Sequence, residues 1–192
     1  MRSQSESDIA CSVGRVVHHV ALAALLGGNL FGRFAMNPAL EDITDKSERG
    51  KVLNRAWRRY GTVDSLALVA LVGGWLPTRL NETRSRRRSA RERRLALAKD
   101  VAVGAVVVTG LASAAGGVGF ARQAPGGAVP MESGRTSAPE TPARAARIKR
   151  AVNVVGALNT FFELALATIN ASLSEMNLRR PPARLRRAGC RF

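Results

Sequence analysis

Apolar and polar positions follow one another along this chain in blocks rather than residue by residue. Val16 to Gly32 gives 17 residues without a formal charge, Ser65 to Thr78 gives 14, and Val101 to Ala121 gives 21. Ala151 to Met176 is a further apolar block, with Glu163 in its middle and Glu175 near its end. A bilayer core about 30 Å thick is crossed by roughly 20 helical residues. The blocks therefore predict membrane helices over about 16–35, 57–76, 101–121 and 151–176. The expected fold class is all-α: a four-helix transmembrane bundle with an additional amphipathic surface helix after the first span. Residues 1–192 make one integral membrane domain on this reading.

The details of each block refine that picture. In the last one, Asn153, Gly156, Thr160, Glu163, Ala167, Asn170, Ser174 and Asn177 recur in steps of three and four. Such steps fall on one helix face, so the helix carries a small, polar seam suited to partner helices, with lipid on its other sides. The third block has a small residue at every fourth position, Ala105, Thr109, Ser113 and Gly117, which permits close helix approach. The second is short, but Trp57 and Trp75 are 18 residues apart. That is about 27 Å of helix, which places a tryptophan at each interface and Asp64 just inside the membrane edge. The first block competes with a signal peptide, but Arg33, Phe34 and Met36 follow it and no small-x-small cleavage site ends it.

Between the blocks, Asn37-Pro38 is expected to end the first helix. Asp45 and Glu48 have capping-box spacing. Val52, Leu53, Ala56, Trp57 and Tyr60 then recur at helical spacing among Arg and Lys, which predicts an amphipathic helix at the membrane surface running on into the second span. Residues 122–150 are rich in Pro, Gly, Ser and Ala with no sustained period, and read as a flexible loop whose end, Ala143 to Arg150, joins the last helix. Pro181-Pro182 stops helix continuation in the basic tail, 178–192.

Charge sets the orientation. The formal net charge is +16, from 26 Arg and 4 Lys against 14 acids. With both termini cytoplasmic, 17 basic residues lie inside and 12 outside, with Arg33 at a span edge. The dense central loop (79–99) and tail favour that arrangement in the cell membrane. The expected partners are membrane lipids, including anionic headgroups, together with a second copy of the chain or another membrane protein. The Arg-rich loop lacks interleaved aromatics and lies between two spans, so no nucleic acid is expected. Cys11 and Cys190 make neither a disulfide framework nor a metal spacing.

Chemistry has few carriers. The polar residues inside the spans are His18, His19, Asn29, Arg33, Asp64, Asn153, Asn159, Glu163 and Asn170. Glu163 lies about 18 Å into its helix, near mid-bilayer. An ionised carboxylate there is costly unless paired or wet. It is either hydrogen-bonding glue across helices or an acid/base group facing a cavity, and Glu163 and Asp64 are the catalytic candidates. Asn153, Thr160, Glu163 and Asn170 form the intramembrane polar seam. An Arg33–Asp64 ion pair between the first two spans is conceivable, although each residue alone suits an interface. His18 and His19 point about 100° apart on a helix and cannot ligate one metal from a regular helix. No metal site and no cofactor is expected. The chain has no Walker loop, dinucleotide fingerprint, nucleophile elbow or zinc signature, and Gly28 to Gly32 is a short GxxxG packing step.

The stretch G-G-N-L-F-G-R-F-A-M-N-P-A-L resembles small four-span bacterial integral membrane proteins, consistent with the Arg-rich, Ala-rich composition of a GC-rich, actinobacterial genome. It is distantly similar to the anthrone oxygenase-like membrane family, in which a first span ends in a P-x-L-like segment (here Pro38-Ala39-Leu40) followed by a helix and three more spans. The resemblance implies an architecture and carries no catalytic residue over. Three functions follow as expectations: a non-enzymatic accessory or interaction protein, a small enzyme acting on a lipid-soluble, polyketide- or quinone-like substrate, or a proton-coupled exporter using Glu163. A soluble bundle is the competing architecture.

Overall fold

Runs dense in Ala, Leu and Arg are strong helix formers. In the computed structural model, which describes residues 2–84 and 90–178, they form four long helices. These are α1 (Arg2–Phe31), α2 (Lys46–Arg84), α3 (Ala90–Ala121) and α4 (Ala143–Leu178). No strand occurs among the described residues. Arg86, Arg87 and Arg88 of the central basic loop, and the tail 179–192 with Cys190, lie outside them.

Each helix packs on two others: α1 on α2 and α4, and α3 on α2 and α4. Neighbours run antiparallel. His18 of α1 meets Leu71 of α2, while Gly32 meets Trp57. Thr109 of α3 meets Asn159 of α4, while Gly116 meets Val152. The contacts close wherever glycine removes a side chain. A Cβ on Gly74 would strike the backbone of Gly14 and His18, and one on Gly28 would occupy the position of the Tyr60 ring.

Large apolar side chains lie both inside the bundle and over its outer surface. Leu22, Leu25, Leu71, Val103, Val106 and Leu166 form one buried cluster. The polar side chains of His18, Asn159, Thr160, Glu163 and Asn170 are buried beside it. Meanwhile Val20, Phe31, Leu66, Val69, Val108 and Phe161 stand exposed around the outside. Three helices, Ser12–Asp42, Ala90–Ala121 and Ala143–Met176, are long and apolar enough to cross a membrane. α2 is not one of these three.

The connecting segments differ from expectation in three places. Pro38 does not end the first helix: a π-helical turn over Gly32–Met36 leads into Asn37–Ala39, and the path closes in a 3-10 turn at Leu40–Asp42. A widened turn shifts the backbone bonding by one residue, with Asn37 N–H donating to Gly32 O, and so accommodates the proline ring. The amphipathic segment is not an additional helix: residues 46–60 run on as expected, as the first turns of a 39-residue α2, about 58 Å long, that continues through Pro77 to Arg84.

The third difference concerns 122–142, which packs onto the end of the bundle as a cap, while Ala143 to Arg150 join the last helix as expected. Val129 and Met131 are fully buried against Leu40, Leu53, Phe120 and Ala145. Met131 N–H donates to Lys46 O, and Met131 pairs its backbone with Ser137. Arg49 spans the junction, donating to the carbonyls of Ile43, Glu41 and Glu132. Gly126 and Gly127 take φ of 62° and 75°, a left-handed turn that only glycine enters readily.

Candidate functional site

The antiparallel register brings polar side chains of three helices to one level. Glu163 of α4 is 0% exposed. Asn29 of α1 donates its Nδ2 to both Glu163 oxygens, at 2.9 and 3.1 Å. Asn159, one turn earlier on α4, donates its Nδ2 to Oε1 at 2.7 Å. The Oδ1 of Asn159 lies 2.7 Å from Thr109 Oγ1 of α3, whose hydroxyl also reaches Ala105 O at 2.6 Å. The chain Asn29–Glu163–Asn159–Thr109 therefore crosses from α1 through α4 to α3.

The fourth helix joins this level without bonding to the acid. Tyr60 of α2 lies over Gly28 and donates its hydroxyl to Ala24 O at 2.6 Å. Asp64, one turn further along α2, is half-buried. No ion pair joins Arg33 to Asp64. An inter-helix ion pair lies at the other end of the bundle, where Arg79 Nε meets Asp100 Oδ2 at 2.7 Å and Trp75 Nε1 donates to Asp100 Oδ1 at 3.1 Å.

The polar seam of α4 separates into three environments. Asn153 reaches the cap, donating to Arg135 O at 2.6 Å. Thr160 bonds back to Gly156 O at 3.0 Å, as a helical threonine does when no neighbour claims it. Asn170 is 5% exposed, and neither polar atom of its side chain has a hydrogen bond. His18 is buried with Nδ1 2.8 Å from Leu71 O, so Nδ1–H donates there, while Nε2 has no partner. No group of three or more His, Cys, Asp or Glu suited to a metal occurs among the described residues.

Sequence reasoning singled out the acid but not its partners. Asn29 and Asn159 stood among the polar residues of the spans without an assigned role. Thr109 appeared as a small rung, and Tyr60 as part of the surface helix. The signal for Asn159 was available, because Asn and Glu four residues apart share a helix face. Nothing in the sequence of α1 says that Asn29 faces α4.

Outside the membrane-spanning segments the electrostatics are ordinary surface chemistry. The backbone N–H groups of Glu48 and Ser47 donate to Asp45 Oδ1 at 3.0 and 2.7 Å and hold its carboxyl below the usual aspartate value. Asp45 thus caps α2. Glu48, however, pairs with Lys51 instead of closing the box. Lys46 lies 2.9 Å from Glu132 and 3.3 Å from Glu140, and these partners raise its pKa. Lys149 sits over the Phe120 ring, 5.6 Å from its centroid. No protein-family model matches the chain, and neither a curated protein nor a solved structure matches it.

Proposed function

We propose that this is a four-span integral membrane protein of the cell membrane, both termini cytoplasmic, acting as a non-enzymatic accessory or interaction protein. Its architecture is that of the small four-span bacterial proteins its first span resembles. The single observation that carries the functional reading is the enclosure of Glu163: wholly buried, with both oxygens accepting from Asn29 and Oε1 also accepting from Asn159. An acid that is to work on a substrate, or to carry protons alternately to two faces, must meet solvent or ligand. An acid that ties helices together must be enclosed and bonded. Glu163 answers to the second description. The span assigned to α2 rests on its position between α1 and α3 in the bundle, on exposed Val63, Leu66 and Val69, and on the tryptophan spacing.

Two experiments test this. High-pH carbonate extraction should leave the chain in the membrane pellet, and release into the supernatant sinks the membrane assignment. In-cell crosslinking followed by mild-detergent purification should recover a stoichiometric protein partner. Glu163→Gln keeps an acceptor oxygen for the two asparagines and should retain that partner at wild-type abundance. Loss of a transported or converted compound in E163Q cells, with the fold intact, would overturn the non-enzymatic reading.

A further inference from the structure

Below the Glu163 layer, a lateral groove of about 370 Å³ lies between α1 and α4, lined by His19, Leu22, Leu26, Ala167, Asn170 and Ser174. Its size is at the lower end for a small-molecule site. The antiparallel register gives it a polarity gradient. His19 and Ser174 lie at one end, toward the amino-terminal end of α1, and Leu26 and Ala167 at the other, one turn from Asn29 and Glu163. From His19 to Leu26 is about 10 Å of helix.

We propose that this groove holds the head of a single-chain anionic amphiphile, a long-chain carboxylic acid, with Asn170 as its hydrogen-bonding partner. Asn170 is 95% buried, yet its amide nitrogen and oxygen bond to nothing. The other two asparagines of the bundle interior, Asn29 and Asn159, both bond Glu163. An unsatisfied carboxamide in an apolar surround is unfavourable, and the terminal torsion of asparagine is broad enough to turn either polar atom toward the groove. A carboxyl group complements an amide: its oxygen accepts from the amide N–H, and its hydroxyl, when present, donates to the amide oxygen.

Charge selects the acid over a neutral head. Arg15 is exposed one turn before His19 and puts a positive charge beside that end of the groove. No acidic side chain lines the groove. The groove is open along one side, which lets an acyl chain pass from it into the bilayer. A second copy of the chain fits less well, because a two-fold contact here would face one Arg15–His19 rim with another.

The test uses the full chain in phosphatidylcholine nanodiscs and a long-chain fatty acid bearing a mid-chain diazirine. Illumination should label α1 and α4 peptides beside the groove, and unlabelled fatty acid should compete. The methyl ester should label about tenfold less, and Asn170→Leu should reduce labelling by about as much. Ala171→Phe, at an exposed position that lines the groove, should abolish labelling with thermal unfolding unchanged. Equal labelling by the ester or by a photoreactive phosphatidylcholine would mean boundary lipid and overturn the proposal. So would a dimer lost in N170L with no labelling of the wild type, which would assign the groove to a second copy. The site presupposes a membrane-embedded chain, and the two failures are distinguishable. A chain that never enters nanodiscs fails the membrane reading, whereas an incorporated chain with an unlabelled groove fails the ligand alone.

Discussion

Asn159 and Asn170 stand eleven residues apart on α4, on nearly the same face and about 16 Å apart along the axis. At the level of Asn159, four helices meet through side chains: Asn29, Glu163 and Thr109 in one hydrogen-bonded chain, with Tyr60 bonded to Ala24 O beside it. Beyond the level of Asn170, toward the amino-terminal end of α1, α1 and α2 meet through backbone. Gly14 and Gly74 let α1 and α2 approach closely, His18 bonds a main-chain carbonyl, and Asn170 is left unbonded. One layer is specified by polar complementarity, the other by the absence of side chains. The seam that looks uniform in sequence therefore does two different jobs: it bonds α1 at Glu163 and lines a groove beside α1 at Asn170.

The glycine layer should be the more fragile to bulk. Gly74→Leu drives a side chain into the backbone of Gly14 and His18, neither of which can rotate away. Overpacking commonly costs about 1–3 kcal/mol, and backbone collisions belong at or beyond the top of that range. Thermal unfolding in detergent should show a large loss of stability, and helical content should persist while the α1–α2 pair separates. A G74L protein melting like wild type would mean that the two helices do not approach as described, and would remove one half of the comparison.

The two asparagines sharpen it further. Asn159→Leu removes a donor to Glu163 and the acceptor for Thr109, leaving a buried carboxyl short of a partner, and should cost about 1–3 kcal/mol. Asn170→Leu removes two groups that already lack partners, so it should be neutral or stabilising in the absence of ligand. Chemical denaturation of both variants in the same micelle gives the contrast directly. Equal destabilisation would show that Asn170 is as well bonded as Asn159.

How much of this was legible beforehand divides along the same line. Three apolar blocks long enough to cross a membrane, and the inward face of α4 around Glu163, follow from run length and from the three-four recurrence, which depend only on helix geometry. The rotation of α1 that turns Asn29 toward Glu163 depends on packing against α2, where Gly28 makes room for Tyr60, and no local pattern encodes it. The continuity of α2 was legible in the helical recurrence from Val52 to Tyr60 that leads into the second apolar block, although its Arg- and Lys-rich first turns read as a surface element because they are charged. The cap was illegible for another reason. Its stability comes from two apolar residues, Val129 and Met131, set among Gly, Pro and Ser, and from carbonyls that Arg49 gathers from three places in the chain.

Both layers are distinct from the capped end of the bundle, and pH separates them from it. Asp45 caps α2 beside the cap segment, and its carboxyl is held below its ordinary value by the N–H groups of Glu48 and Ser47. A depressed folded-state pKa means the folded protein prefers the charged form. The stabilisation is therefore complete above the ordinary aspartate value of about 3.9, and it fades as pH falls through the lowered folded value. Asp45→Ala lacks that contribution at every pH. The wild type should melt slightly above D45A near neutrality, by on the order of 2 °C, and the gap should close as acidification passes through the lowered folded value. Because Asp45 is fully exposed, this is the smallest of the expected effects, and it should be confined to the end where α2 meets the cap. Hydrogen exchange followed in the same titration should quicken at Ser47 and Glu48 while Leu71 and Leu166 stay protected. Uniform loss of protection across α2 would instead mean that the charged first turns and the apolar remainder unfold as one unit.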